Sequence, residues 1–132
     1  MSAADRAIQV VVADDEVDIR LLLKLQLRQA DIVVVGEAGD GVETVELCRT
    51  LQPDVVILDL LMPRMNGFDA IPVLREECPE VGIVAYSAVA GDFARQEMDR
   101  WGIPLRLKNG DADPLVQTIR SLVAERTVDD LR

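Results

Sequence analysis

The sequence predicts one α/β domain built on a parallel five-stranded sheet, and three observations carry that prediction. Five short aliphatic runs alternate with five stretches of helical periodicity. The strand-like runs are apolar nearly throughout, as in strands covered on both faces. The length, 132 residues, fits a single domain with one real core.

Taken in order, Ile8 to Ala13 is a continuous aliphatic run and reads as the first strand. From Glu16 to Ala30 the period changes, with Ile19, Leu22, Leu23, Leu27 and Ala30 on one helical stripe. Ile32 to Val35 is the second strand. Asp40, with Glu43 three residues later, forms a capping box that opens a helix through Leu51. Val55 to Leu58 is the third strand, ending at Asp59. Asn66 caps a helix running toward Cys78, in which Pro72 removes one internal hydrogen bond and favours a bend. Val81 to Ala85 is the fourth strand, followed by a weaker helix around Phe93 to Trp101 that Gly102 is placed to terminate. Ile103 to Leu107 is a short fifth strand. Asp113 and Pro114 then start a last helix as N-cap and first-turn proline, with Leu115, Ile119, Leu122 and Val123 inward. The expected domain covers residues 1–126, and the polar residues 127–132 form a C-terminal tail or the start of a linker.

Composition excludes several classes of function. With no histidine, Ser-His-Asp and Cys-His catalysis and every His-ligated zinc site are ruled out within the chain. Cys48 and Cys78 match neither a metal knuckle nor a disulfide framework and read as buried thiols. The net charge of −10 opposes direct nucleic-acid binding. No apolar run approaches the roughly 20 residues that span a bilayer, and the first residues lack the layout of a signal peptide. The expectation is a cytoplasmic protein with no membrane contact.

In open parallel sheets, sites form outside the carboxyl ends of the strands. Asp14 and Asp15 follow the first strand, Asp59 ends the third, and Ser87 and Lys108 lie just past the fourth and fifth. A single Asp after a strand is more often a cap or turn residue than a ligand. Three carboxylates on one edge repel one another, and a bound cation best explains them. Hard oxygen ligands suit Mg²⁺ or Mn²⁺. The remaining groups fit phosphoryl transfer. A carboxylate can attack phosphorus to give an acyl phosphate, while Lys108 and Ser87 neutralise or hydrogen-bond the equatorial oxygens. Asp59 is the expected nucleophile, and Asp14 and Asp15 mainly hold metal.

The segments Val11-Val-Ala-Asp-Asp-Glu16, Asp54-Val-Val-Ile-Leu-Asp-Leu-Leu-Met-Pro63 with Asn66-Gly67, Tyr86-Ser87-Ala88 and Leu107-Lys108 are individually weak signals. In this order and spacing the chain resembles the CheY-like receiver domains of two-component response regulators over essentially its whole length. That resemblance implies a flavodoxin-like (βα)5 three-layer sandwich with strand order 2-1-3-4-5. It implies phosphorylation of Asp59 by a sensor histidine kinase, and Mg²⁺ held by Asp15, Asp59 and the Leu61 backbone carbonyl with Asp14 nearby. It places Ser87 and Lys108 on the phosphoryl oxygens. Such a domain is a phosphoacceptor that assists its own phosphorylation and dephosphorylation rather than an enzyme. An effector domain, or a homodimer, would use the face of the fourth helix, fifth strand and fifth helix.

Several positions depart from the family pattern. Leu105 stands where many receivers carry an inward-turning Tyr or Phe, either as harmless drift or as loss of an aromatic reporter. Asn109 follows Lys108 where a cis-proline is common, leaving the peptide trans, or cis under strain. Trp101 replaces a small residue and either packs on the helix end or marks a partner surface. Leu61 and Val89 occupy positions that tune water access, and being apolar they predict slow self-dephosphorylation. A haloacid-dehalogenase-like phosphatase would need a second Asp at Leu61, and a flavin-binding loop would not carry Asp14, Asp15 and Glu16. The serious alternative is a receiver-fold interaction module that signals without phosphorylation.

Overall fold

The structure is a computed structural model that describes residues 6–88 and 91–130. Strands and helices alternate as β1 (Ile8–Ala13), α1 (Val17–Gln29), β2 (Ile32–Ala38), α2 (Gly41–Leu51), β3 (Val55–Leu58), α3 (Gly67–Glu77), β4 (Gly82–Ser87), α4 (Asp92–Trp101), β5 (Leu105–Leu107) and α5 (Asp113–Asp130). The five strands form one parallel sheet in the order β2-β1-β3-β4-β5.

Side chains alternate across the sheet with period two, and each face is sealed by its own helices. Val11, Ala13, Val56, Leu58, Ile83 and Ala85 face one core, completed by Val45 and Cys48 of α2, Ile71 and Leu74 of α3 and Met98 of α4. Val10, Val12, Val55, Ile57, Val84 and Tyr86 face the other, completed by Leu23 and Leu27 of α1 and Leu115, Val116 and Ile119 of α5. This double burial is why the strands read as unbroken apolar runs.

The expected caps form at Asp40, Asn66 and Gly102, but not at Asp113, which lies within its helix. Asp40 accepts from the Glu43 N–H at 2.8 Å and Asn66 from the Asp69 N–H at 2.9 Å. Gly102 ends α4 at φ +66°, in the left-handed region. Both cysteines are free and buried.

Some boundaries differ, each for a physical reason. β2 continues to Ala38 because Glu37 and Ala38 still pair with Val12 and Ala13. β4 runs Gly82–Ser87, so Ser87 closes the strand instead of following it. β5 is only Leu105–Leu107, since Pro104 accepts from the Ala85 N–H but has none of its own to donate. α5 begins one residue early: the Ala112 carbonyl takes the Val116 N–H, and an Asp111 oxygen takes that of Asp113. Leu22 is 45% exposed, not buried; it lies about 100° round the helix from Leu23, beyond the covered stripe.

Candidate functional site

The strand register delivers the acidic residues to one level. Ala13 pairs with Leu58, and Leu58 with Ala85. The Asp59 N–H continues the ladder to the Ala13 carbonyl at 2.9 Å, and the Asp14 N–H to that of Ala38 at 2.9 Å. Asp14 and Asp59 are thereby buried at the sheet edge, while Asp15, one residue on, is exposed. The loop after Asp59 turns back so tightly that a Cβ on Gly67 would lie 2.4 Å from the Asp59 carbonyl oxygen. Only glycine fits there without moving the backbone.

One carboxylate oxygen from each of Asp14, Asp15 and Asp59 lies within 4.8 Å of the others. Among the described residues a single ammonium faces them: Lys108 Nζ stands 2.5 Å from Asp14 Oδ2 and 3.2 Å from Asp59 Oδ2. Asp59 Oδ1 takes the Leu61 N–H at 3.3 Å, and Asp14 Oδ1 takes that of Glu16 at 2.9 Å. Asp14 Oδ2 is sealed from solvent and charge-paired to Lys108 without hydrogen-bond geometry. A buried oxygen left in that state, among three carboxylates sharing one ammonium, fits a cation.

The electrostatics record the crowding. Burial pushes the Asp59 carboxyl above its usual range; Lys108 opposes this and Asp14 adds to it. Burial works to lower the Lys108 ammonium, but Asp14 and Asp59 overcome it, so Lys108 titrates above the ordinary lysine value.

Each predicted site residue within the described segments has a definite place. Ser87 is buried at the end of β4, and its carbonyl accepts the Lys108 N–H at 2.9 Å, setting the two residues side by side. Leu61 sits two residues beyond Asp59 with its side chain 61% exposed. Val89 lies outside the described residues. The Lys108–Asn109 peptide is trans. The Asn109 side chain takes the Asp111 N–H at 3.1 Å, so an Asn-based turn shapes this loop in place of a proline. Leu105 and Trp101 are partly buried against the core that faces α2 to α4.

Two supporting residues were not visible in sequence. Arg20 donates through Nη1 to the Asp14 carbonyl at 2.6 Å. Arg64, at φ +64°, ion-pairs with the capping Asp40 and ties the loop after β3 to the start of α2. The only sequence signal for Arg20 is its place one turn after Glu16.

Comparison with known proteins gives a consistent picture. A family model described as the response regulator receiver domain matches residues 10–120. The transcriptional regulatory protein PdtaR of Mycobacterium tuberculosis is 43% identical over 125 residues, covering 92% of this chain and 60% of that protein. A protein-glutamate methylesterase/protein-glutamine glutaminase of Pyrococcus abyssi is 40% identical over 95 residues, covering 71% of this chain and 26% of that protein. The response regulator domain of Thermotoga maritima CheB superposes with a TM-score of 0.72 at 30% identity, covering 92% of this chain and 95% of that one. The chain therefore spans about a quarter to three-fifths of the length of these two curated relatives.

Proposed function

The chain belongs to the response regulator receiver domain family, and from that premise we propose that Asp59 accepts a phosphoryl group from a phosphohistidine of a sensor histidine kinase. The observation that carries this reading is the cluster of Asp14, Asp15 and Asp59 carboxylates within 4.8 Å, with Lys108 reaching two of them. A carboxylate oxygen of Asp59 forms the new O–P bond while the N–P bond to the donor imidazole breaks. The imidazole nitrogen keeps the electron pair and takes up a proton.

The chain's own residues divide the work. The Leu61 N–H holds one Asp59 oxygen and so orients the carboxylate. Lys108 already faces Asp59 and neutralises charge on the phosphoryl oxygens, and Ser87 beside it donates a hydrogen bond to one of them. Asp14, Asp15, Asp59 and the Leu61 carbonyl would hold Mg²⁺ or Mn²⁺, which supplies further positive charge to the transferring group when bound. The domain is a phosphoacceptor that promotes its own modification, not an enzyme turning over a separate substrate.

Readout is proposed through the face of α4, β5 and α5, where Leu107 is 44% exposed, to an effector domain or a second copy. The net charge of −10 opposes direct nucleic-acid contact by this domain. No helix among the described residues is long and apolar enough to cross a membrane, and the reading places the protein with its kinase's catalytic domain in the cytoplasm. Incubation with acetyl phosphate and Mg²⁺ should add the mass of one phosphoryl group, and Asp59→Asn should abolish the gain. No gain in the unsubstituted protein would favour an interaction module that works without phosphorylation.

A further inference from the structure

We propose that Arg20 is a positioning residue for the divalent-cation site, acting through the Asp14–Asp15 peptide; the inference rests on the metal-site reading above. Arg20 lies one turn into α1, its own N–H on the Glu16 carbonyl at 3.2 Å. From there its side chain turns back toward the sheet edge. Nη1 donates to the Asp14 carbonyl at 2.6 Å, and Nε to Glu37 Oε1 at 3.3 Å. The other Glu37 oxygen takes Lys24 Nζ at 3.1 Å. The side chain is 18% exposed, so the guanidinium is held between β2 and the end of β1 rather than trailing in solvent.

The peptide plane makes this contact matter for metal. A trans peptide is rigid, so the Asp14 C=O and the Asp15 N–H are locked antiparallel. The rest of Asp14 is held too, its N–H on Ala38 and Oδ1 on the Glu16 N–H, while Oδ2 faces Lys108 without hydrogen-bond geometry. Asp15 is exposed, so no burial holds its backbone in place, and the peptide that precedes it sets where its side chain starts. By fixing the Asp14 oxygen, Arg20 fixes the direction in which Asp15 leaves the strand. Arginine suits the task because its planar fork serves Glu37 and the carbonyl at once, which a lysine ammonium does not reproduce.

The sign of the metal response distinguishes this role from a bystander charge. A cation beside a cation site weakens metal binding by repulsion, so removing a bystander arginine should tighten it. Removing a positioning residue should loosen it. Mn²⁺ binding to the purified chain, followed by the electron paramagnetic resonance of free Mn²⁺, reads the difference, with urea unfolding as the check on folding. Arg20→Met is expected to weaken Mn²⁺ binding about 10–100-fold, the usual scale for residues that orient metal ligands. Arg20→Lys should fall between Arg20→Met and the unsubstituted protein. A folded Arg20→Met that binds Mn²⁺ as tightly as the unsubstituted protein, or more tightly, overturns the inference while leaving the metal site standing. Should Arg20→Met fail to fold, an Arg20→Lys with unchanged affinity overturns it instead. An unsubstituted protein that binds no Mn²⁺ overturns the metal-site reading, and this inference with it.

Discussion

Strand β3 carries a buried aspartate at each end, and the two have opposite surroundings. Asp54 and Asp59 are each 6% exposed. At the amino end, Asp54 takes the Gln9 N–H at 2.8 Å and a guanidinium nitrogen from Arg6 and from Arg126, each at 3.1 Å. Arg126 also donates to the Glu80 carbonyl, so this carboxylate ties α5 to the underside of the sheet. At the carboxyl end, Asp59 has one long backbone donor and shares Lys108 with Asp14. One carboxylate is satisfied, the other crowded. Taking a partner from a satisfied buried charge is costly, whereas a buried excess of like charge marks a candidate site for chemistry.

The largest expected effect is on stability, and it should separate the two ends. Asp54→Asn removes the charge that two arginines share and should cost about 1–3 kcal/mol, lowering the urea midpoint. The lower half of that range is favoured because Arg6 is half-exposed. Asp59→Asn should leave the midpoint unchanged or raise it, since burial already disfavours the charged form there and Lys108 keeps Asp14. Equal destabilisation by both substitutions would break the comparison.

The sequence made this edge of the molecule legible and the opposite one opaque. Asp14 and Asp59 follow aliphatic runs directly, so strand period alone places them at one edge. Asp40 and Asn66 announced their helices because capping is local chemistry. Nothing local to Asp54 shows its ion pairs, because its partner Arg126 lies 72 positions away. Arg64 gives no local sign for a related reason, since Asp40 lies 24 positions away; Arg20 lies only six residues from Asp14, but its bond is to a backbone carbonyl, which no residue type announces. Leu22 differs by angle, since α1 is covered along a narrower stripe than its leucines suggest.

A third carboxylate, Asp40, extends the comparison at smaller scale. The Glu43 N–H, ahead of Arg64, holds its carboxyl below the usual range despite burial. A depressed pKa gives stability that is present above the unfolded value of about 3.9 and lost as pH falls through the folded one. Asp40→Ala should therefore cost about 1 kcal/mol at neutral pH. The gap between its urea midpoint and that of the unsubstituted protein should shrink below about pH 4. A gap constant down to pH 2 would put Asp40 outside the satisfied class.

Two smaller effects sharpen the picture. Leu61 offers no polar atom beyond its backbone to orient water at Asp59, so the phosphorylated form should persist for minutes or longer once acetyl phosphate is removed. Decay within seconds would contradict that. Burial, with Cys78 close by, pushes the Cys48 thiol up to about 12, so it should resist alkylation at pH 8 until urea unfolds the chain. Rapid native labelling would show that this core opens.

The most direct measurement compares phosphoryl uptake from acetyl phosphate and Mg²⁺ by intact mass in the unsubstituted protein, Asp54→Asn and Asp59→Asn, each confirmed folded. One phosphoryl group on the first two and none on the third is the predicted result. Uptake that survives Asp59→Asn, or that is lost in a folded Asp54→Asn, would contradict the division of roles between the two ends of β3.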